Sequence, residues 1–415
     1  MKARETLIPL VALAALGLVL HSVPLLALSL PLVLVVAGAN FWGKHSLAAV
    51  RYQRRISPDR VFPGESVQLE LTWENRKWLP LAWLEAADDV PAGFDFPAGF
   101  LSSHHRLQRQ WLVNLLPLGF YERVTRRFRL TAPRRGHYTF GPGRLRSGDL
   151  FGLVTRQREE EERLELLVYP RLLSPQAFGL PTLRPLGHHR SGPPFFEDPS
   201  RLAGCRDYQE GDPLGRVHWK ATAHTGRLQV KLFEPSTSLA LGLFFNCATY
   251  EHAWQGIDPV ALEQVIEVTA SLAADAIAHG HQVGLYGNGL LPGLGRGLRL
   301  PPATGTAQLQ RMLEVLARIA PFGSEQMANL LASEGRRLPW GAAVVLVTAV
   351  MAEPVQVVLE DLRRHGHPVA LVVVGEPIPA DFHPEGWTVH RVPHAGAGQA
   401  AEPVPTGEEV AAGGR

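Results

Sequence analysis

Cysteine is scarce: only Cys205 and Cys247 occur in 415 residues. Neither belongs to a CxxC pair or sits at a Cys/His spacing. That excludes a disulfide-stapled secreted scaffold and a structural zinc site, and it fits a reducing compartment. Net charge is also small, with 41 basic residues against 39 acidic ones. The chain therefore lacks the basic excess of a dedicated nucleic-acid binder. Catalytic signatures are missing too. There is no HExxH and no GxSxG elbow. Gly293-Leu294-Gly295-Arg296-Gly297 lacks the GK[ST] ending of a phosphate-binding loop and opens no helix; it reads as a hairpin between short strands. The pairs His104-His105 and His188-His189 are adjacent, so their side chains do not face one way. Glu159–Glu162 reads as a solvated charge run in a hairpin loop. From these absences no catalytic residue and no cofactor is expected.

Long apolar runs, by contrast, are present. Leu7 to Ala39 holds only three polar side chains, His21, Ser22 and Ser29. The stretch exceeds the ~20 residues of one span, and His21-Ser22-Val23-Pro24 interrupts it as a tight turn would. The pattern predicts a transmembrane hairpin over residues 1–45, with helices near Leu7–Leu20 and Val23–Trp42. Lys2 and Arg4 precede the hairpin, Lys44, Arg51, Arg54 and Arg55 follow it, and the turn carries neither Lys nor Arg. The positive-inside rule then places both ends in the cytoplasm. The rival readings are a cleaved signal peptide ending near Ala37-Gly38-Ala39, and one tilted span that puts the remainder outside.

Residues 46–175 read as a β-sandwich of immunoglobulin-like type. Val67, Leu69, Leu71 and Trp73 alternate on one face, and Arg126–Leu130 alternates less cleanly. Turn signals such as Pro63-Gly64 and Pro91-Ala92-Gly93 separate the runs. Residues 176–236 combine a Pro/Gly/His-rich linker, Leu180–Ala203, with a dense polar segment. Residues 237–394 then alternate apolar strands and amphipathic helices. Leu239–Phe245 is a buried strand. A helix follows, capped by Asp258, with Pro259 in its first turn and Gly280 at its end. Further helices are expected at Thr306–Ile319, Ser324–Glu334 and Pro354–His365. Further strands are expected at Val283–Tyr286, Ala342–Val347, Val369–Val374 and Trp387–Val392. Repeated βα units predict an open, mostly parallel α/β sheet with helices on both faces. Residues 395–415 lack any apolar period and are expected to be a disordered tail.

The segment Arg206–Glu234, RDYQEGDPLGRVHWKATAHTGRLQVKLFE, is the most distinctive in the chain. Its Arg206, Tyr208, Gly211, Asp212, Arg216, His218, Trp219 and Lys220 resemble the signature of the DUF58 family of bacterial membrane proteins. Arg135-Gly136-His137-Tyr138, Gly141-Pro142, Ser147–Leu153 and Val168-Tyr169-Pro170 extend the resemblance. It implies a von Willebrand factor A-like α/β domain, a cytoplasmic-membrane location, and as partners a MoxR-type AAA+ ATPase and a transglutaminase-like membrane protein.

A domain of that type holds Mg²⁺ through Asp-x-Ser-x-Ser after its first strand and through later Thr and Asp residues, because the ion needs hard oxygen ligands. Here Asn246, Ala248 and Tyr250 stand at the first three positions and Ala349 at the last. No metal is expected. The eight signature residues are candidates for partner binding or for joining domains; in the joining role, Trp219 is a core plug and Gly211-Asp212 a turn. The leading expectation is a non-enzymatic scaffold in the bilayer. The alternative is a hydrolase or transferase acting on cell-envelope polymers at the interdomain junction.

Overall fold

The computed structural model describes residues 3–103, 108–178, 197–209, 217–235, 240–291, 297–323, 325–375, 384 and 386–393. The chain divides into two compact units, Met1–Tyr169 and Pro170–Arg415. The His pairs, most of the glycine-rich run and the tail lie outside the described residues.

The first unit opens on two packed helices, α1 (Ala3–Val19) and α2 (Val23–His45). Pro24 sits in the first turn of α2, where a missing N–H costs no hydrogen bond. The 23 residues of α2 span about 34 Å, enough for a hydrocarbon core of about 30 Å. The apolar stretch of α1, Ile8–Val19, is shorter. Two spans were expected; among the described residues one helix is long and apolar enough to cross. The hairpin itself is present, but α1 begins in the polar Arg4-Glu5 pair and loses that length.

Eleven strands follow: β1 (Val50–Ser57), β2 (Arg60–Val61), β3 (Ser66–Asn75), β4 (Leu81–Pro91), β5 (Leu101–Ser103), β6 (Arg109–Leu118), β7 (Arg123–Thr131), β8 (Gly136–Phe140), β9 (Gly143–Gly148), β10 (Thr155–Glu160) and β11 (Leu164–Val168). They form three sheets, ordered β1-β3-β7, β10-β9-β4-β6-β5 and β2-β11-β8, antiparallel except for the β2–β11 pair. Period-2 alternation turns Val67, Leu69, Leu71 and Trp73 of β3 into a core shared by all three sheets. The outward residues explain the blurred pattern of β7: Arg127 pairs with Glu70, Thr125 with Thr72 and Arg123 with Glu74 across the ladder.

One ionic group lies inside this core. Arg54 on β1 donates to Asp88 Oδ1 on β4 at 3.0 Å, and Tyr52 Oη donates to Asp88 Oδ2 at 2.5 Å. Arg54 also donates to the carbonyls of Glu160 and Glu162. Glu159 and Glu160 are thus strand residues, not a free loop as expected, because β9 needs them to complete its ladder.

The last turn of α2 meets the β domain. A Cβ on Gly43 would stand 2.5 Å from Val154 Cβ, so this close approach needs glycine. Gly43→Ala should lower the melting temperature of the purified chain in detergent, at a cost of about 1–3 kcal/mol. Unchanged melting would show that Val154 yields freely.

In the second unit, β12 (Glu197–Asp207) pairs antiparallel with β13 (Gln229–Pro235), and helix α3 (Trp219–Thr225) precedes β13. The residues from Glu197 were expected in a linker. Two register shifts in this ladder, with Pro199 and Gly204 in the strand, remove the alternation that would have revealed it.

The remaining strands are β14 (Ala240–Phe245), β15 (Gln282–Gly287), β16 (Gly289–Leu290), β17 (Leu298–Ala303), β18 (Ala320–Gly323), β19 (Ala343–Thr348), β20 (Val369–Val374) and β21 (Trp387–Val392). The helices are α4 (Pro259–Ala278), α5 (Thr306–Arg318), α6 (Met327–Gly335) and α7 (Glu353–Arg364). Six strands form one sheet in the order β17-β15-β14-β19-β20-β21, parallel except for the β17 edge. Phe244, Val344, Leu346, Leu371 and Val373 pack with α6 and α7 on one face. Residues of the other parity face α4, whose start is capped by the Asp258 carboxylate accepting from Val260 N and Ala261 N.

Candidate functional site

In an open parallel sheet, the crevice for ligands lies beyond the carboxyl ends of the strands, where the strand order reverses. Here that point falls between β14 and β19. Asn246 follows β14, Thr348 ends β19, and Asn288 follows the neighbouring β15. All three are buried, with 5%, 0% and 4% of their surface exposed.

Backbone N–H groups fix the orientation of both amides. Ala248 N donates to Asn246 Oδ1 at 3.1 Å, so Asn246 Nδ2 faces Thr348 Oγ1, also at 3.1 Å. Cys247 N donates to Asn288 Oδ1 at 2.8 Å, which turns Asn288 Nδ2 onto Asn246 Oδ1 at 2.9 Å. The Thr348 hydroxyl donates to Val350 O at 2.6 Å, so its lone pairs call for a donor and Asn246 supplies one. The three side chains form a neutral, mutually satisfied network. Thr249 Oγ1 is also engaged, accepting from Asp258 N at 2.7 Å. Ala349 is buried and apolar, while Tyr250 is exposed on the loop before α4. On the same loop Trp254 is 82% exposed. Among the described residues no three His, Cys, Asp or Glu side chains converge as metal ligands would.

Of the signature, Arg206 and Tyr208 lie at the end of β12, and His218, Trp219 and Lys220 open α3; Gly211, Asp212 and Arg216 lie outside the described residues. The His218 ring caps α3, its Nδ1 accepting from Ala221 N at 3.0 Å. His218 N donates to Gln229 O at 2.7 Å, Tyr208 N donates to Leu228 O at 2.9 Å, and Gln229 Nε2 donates to Asp207 Oδ1. These bonds make the segment one local knot around the buried pair Val217 and Val230. Trp219 is not the core plug expected of it. It is 69% exposed, because α3 is short and buries no side chain. Lys220 beside it is exposed as well.

Sequence reasoning found Asn246 but not its partners Asn288 and Thr348. Both stand one step beyond or at the end of a core strand, and that position was the available signal. It also missed the Tyr52–Arg54–Asp88 group, whose signal was two charged residues at inward positions of core strands.

These features define a class: an apolar helix of spanning length, an antiparallel β domain, and a doubly wound α/β domain closed at its switch point by neutral amides. Residues 204–391 match the model of the family described as "Protein of unknown function DUF58". The chain is similar to the "Uncharacterized protein YeaD" of Bacillus subtilis, 25% identical over 255 residues, covering 60% of this chain and 58% of that protein. The match thus spans less than two thirds of the relative's length.

Among solved structures, a cohesin module from a Clostridium perfringens family 33 glycoside hydrolase matches at 12% identity and a TM-score of 0.21. That alignment covers 29% of this chain and 96% of the module. The CARDB domain of a Pyrococcus furiosus protein matches at 14% identity and a TM-score of 0.19, covering 29% of this chain and 93% of that domain. Likenesses of this size carry no functional argument.

Proposed function

We propose that this protein is a non-enzymatic adaptor anchored in the bacterial cytoplasmic membrane, with its α/β unit docking a protein partner. The single observation behind this reading is the amide network at the switch point. Where a reacting site in such a sheet would keep a nucleophile, an acid–base pair or hard anionic ligands, Asn246, Asn288 and Thr348 use their polar atoms on one another. Burial of satisfied neutral groups holds a loop in shape and leaves little to react. On the loop beside it Trp254 is exposed and suited to recognition, and elsewhere in the same unit the Trp219–Lys220 pair of the signature segment is exposed as well.

The strand order and the antiparallel β17 edge support a von Willebrand factor A-like α/β domain, and the three-sheet β domain supports an immunoglobulin-like one. Lys44, Arg51 and Arg55 on the domain side of α2 support a cytoplasmic orientation. The resemblance to DUF58 proteins points to a MoxR-type AAA+ ATPase as the partner, with a transglutaminase-like membrane protein in the same assembly.

The test is recovery of the ATPase with the tagged full chain from native membranes. Trp254→Ala, the double change Trp219→Ala and Lys220→Ala, and the pair Asp212→Ala and Arg216→Ala are compared with the native chain. At least one should cut recovery roughly tenfold, the effect of removing an anchoring aromatic or charge. The two aromatic changes should leave melting unchanged. Full recovery with all of them would overturn the docking role.

A further inference from the structure

Three loops of the β domain are fastened to the end of α2. The first follows β3: Lys77 Nζ donates to Ser46 O at 2.7 Å and Ala48 O at 2.8 Å, and Arg76 N donates to Ala49 O at 2.9 Å. Lys77 thereby serves the carbonyls just beyond the helix, as basic groups do at helix C-termini. The second is the turn before β7. Asn75, fully buried, holds it to the first loop, its Nδ2 donating to Leu79 O at 3.0 Å and Gly119 O at 2.7 Å. The third joins β9 to β10. The buried Asp149 carboxylate accepts from Phe151 N at 2.9 Å and Val154 N at 2.6 Å, and Val154 lies against Gly43.

These loops are held in place by buried polar side chains, yet their tips are apolar and uncovered. Trp78 is 64% exposed, Phe120 67%, Tyr121 69% and Phe151 68%. Leu150 and Leu153 are exposed beside Phe151. Phe41 and Trp42 of α2 come within two residues of Gly43, so the helix's own aromatics lie within about 3 Å of that level along its axis. Lys44 follows at once. Tryptophan, tyrosine and phenylalanine on loops fastened near the end of an apolar helix, with lysine in the same last turn, is the composition of a membrane–water boundary. Six rigidly held apolar side chains grouped at one end of a domain also exceed the scattered exposure usual on a soluble surface.

We propose that these three loops form a collar seated in the headgroup region of the bilayer around α2, with the lipid interface as their ligand. The collar fixes the β domain upright on the membrane, where a single helix would leave it free to tilt. Through Asp149, the Ser147–Leu153 segment that resembles the family pattern is an interfacial anchor held by its own carboxylate. The inference rests on the reading of α2 as a spanning helix.

The test uses the full chain with Cys205→Ser, reconstituted into phosphatidylcholine–phosphatidylglycerol vesicles. An environment-sensitive fluorophore is attached at Phe151→Cys, Trp78→Cys, Leu34→Cys on α2, or Ser66→Cys at the far end of β3. Lipids carrying a nitroxide near the headgroup should quench the labels at 151 and 78 roughly twofold or more over the label at 66, since the interface is where such side chains settle. Nitroxides deep in the chains should quench the label at 34. Quenching at 34 without quenching at 151 and 78 overturns the collar and leaves the spanning helix standing. A blue-shifted but unquenched label at 151 means that protein, such as a second copy, covers the loop, and it also overturns the collar. Absence of quenching at 34 overturns the spanning reading and the collar with it.

Discussion

Replacing Asp88 with alanine should lower the unfolding free energy of the first unit by about 3–5 kcal/mol, the usual cost of leaving a buried charge without its partner. Arg54 and Asp88 keep only 2% and 3% of their side-chain surface in contact with solvent. In Asp88→Ala the guanidinium stays behind in the core, bonded to the carbonyls of Glu160 and Glu162 but without its carboxylate. At a few degrees per kcal/mol for a unit of this size, the melting temperature of the full chain in detergent should fall by roughly 10 °C. The triple change Tyr52→Phe, Arg54→Met and Asp88→Leu should recover much of that loss, because an apolar replacement of a whole buried ionic group is often neutral or stabilising. Equal melting of Asp88→Ala and the native chain would mean that water reaches the group.

The same carboxylate sets a pH dependence. Burial raises the Asp88 pKa from 3.8 to about 6, against the opposing pull of Arg54 and of the Tyr52 and Arg54 hydrogen bonds. Between those values the folded chain holds a proton that the unfolded chain has released. The contribution of this group to stability is therefore fully present below pH 3.8 and is lost as the pH rises through about 6. Asp88→Asn removes the titrating group, so melting temperature plotted from pH 4 to pH 7 should lose that part of its downward slope.

Periodicity made the α/β unit legible almost strand by strand, because its parallel strands are continuous apolar runs bounded by capped helices. Val369–Val374 and Trp387–Val392 stand where the pattern places them. The β17 edge was hidden by Pro301 and Pro302, which an edge strand tolerates and a central one does not. Glu197–Asp207 was hidden by its bulges. The candidate site was legible only by subtraction. Asn246 stands out as a missing aspartate, but its hydrogen-bond partners lie 42 and 102 residues away, and nothing local to Asn246 announces them. The loops beside α2 were invisible for a related reason: a tryptophan or phenylalanine in a turn looks like ordinary core until its exposure is known.

Asn246→Ala should cost about 2–4 kcal/mol, because buried polar groups at the switch point lose partners together, at about 1–3 kcal/mol for each one left unsatisfied. Asn246 Oδ1 takes bonds from Ala248 N and Asn288 Nδ2, and its Nδ2 gives one to Thr348. Asn246→Asp is the sharper experiment, since it restores the carboxylate that an ion-binding domain would carry. A neutral carboxyl fits the network, its hydroxyl giving to Thr348 what the amide gave. The ionised form turns an oxygen lone pair toward Thr348 Oγ1, whose proton is committed to Val350 O. Burial and this mismatch both raise the carboxyl's pKa in the fold. Its stability contribution is then present below the ordinary aspartate value of about 4 and is lost as the pH rises. Melting of Asn246→Asp should fall toward neutral pH while the native chain lacks that extra slope. Magnesium should not restore it, because Ala248, Tyr250 and Ala349 offer no side-chain oxygen suited to the ion. A magnesium-dependent rise in the melting temperature of the native chain would instead mean that the amide network opens to admit an ion, and the adaptor reading would lose its main support.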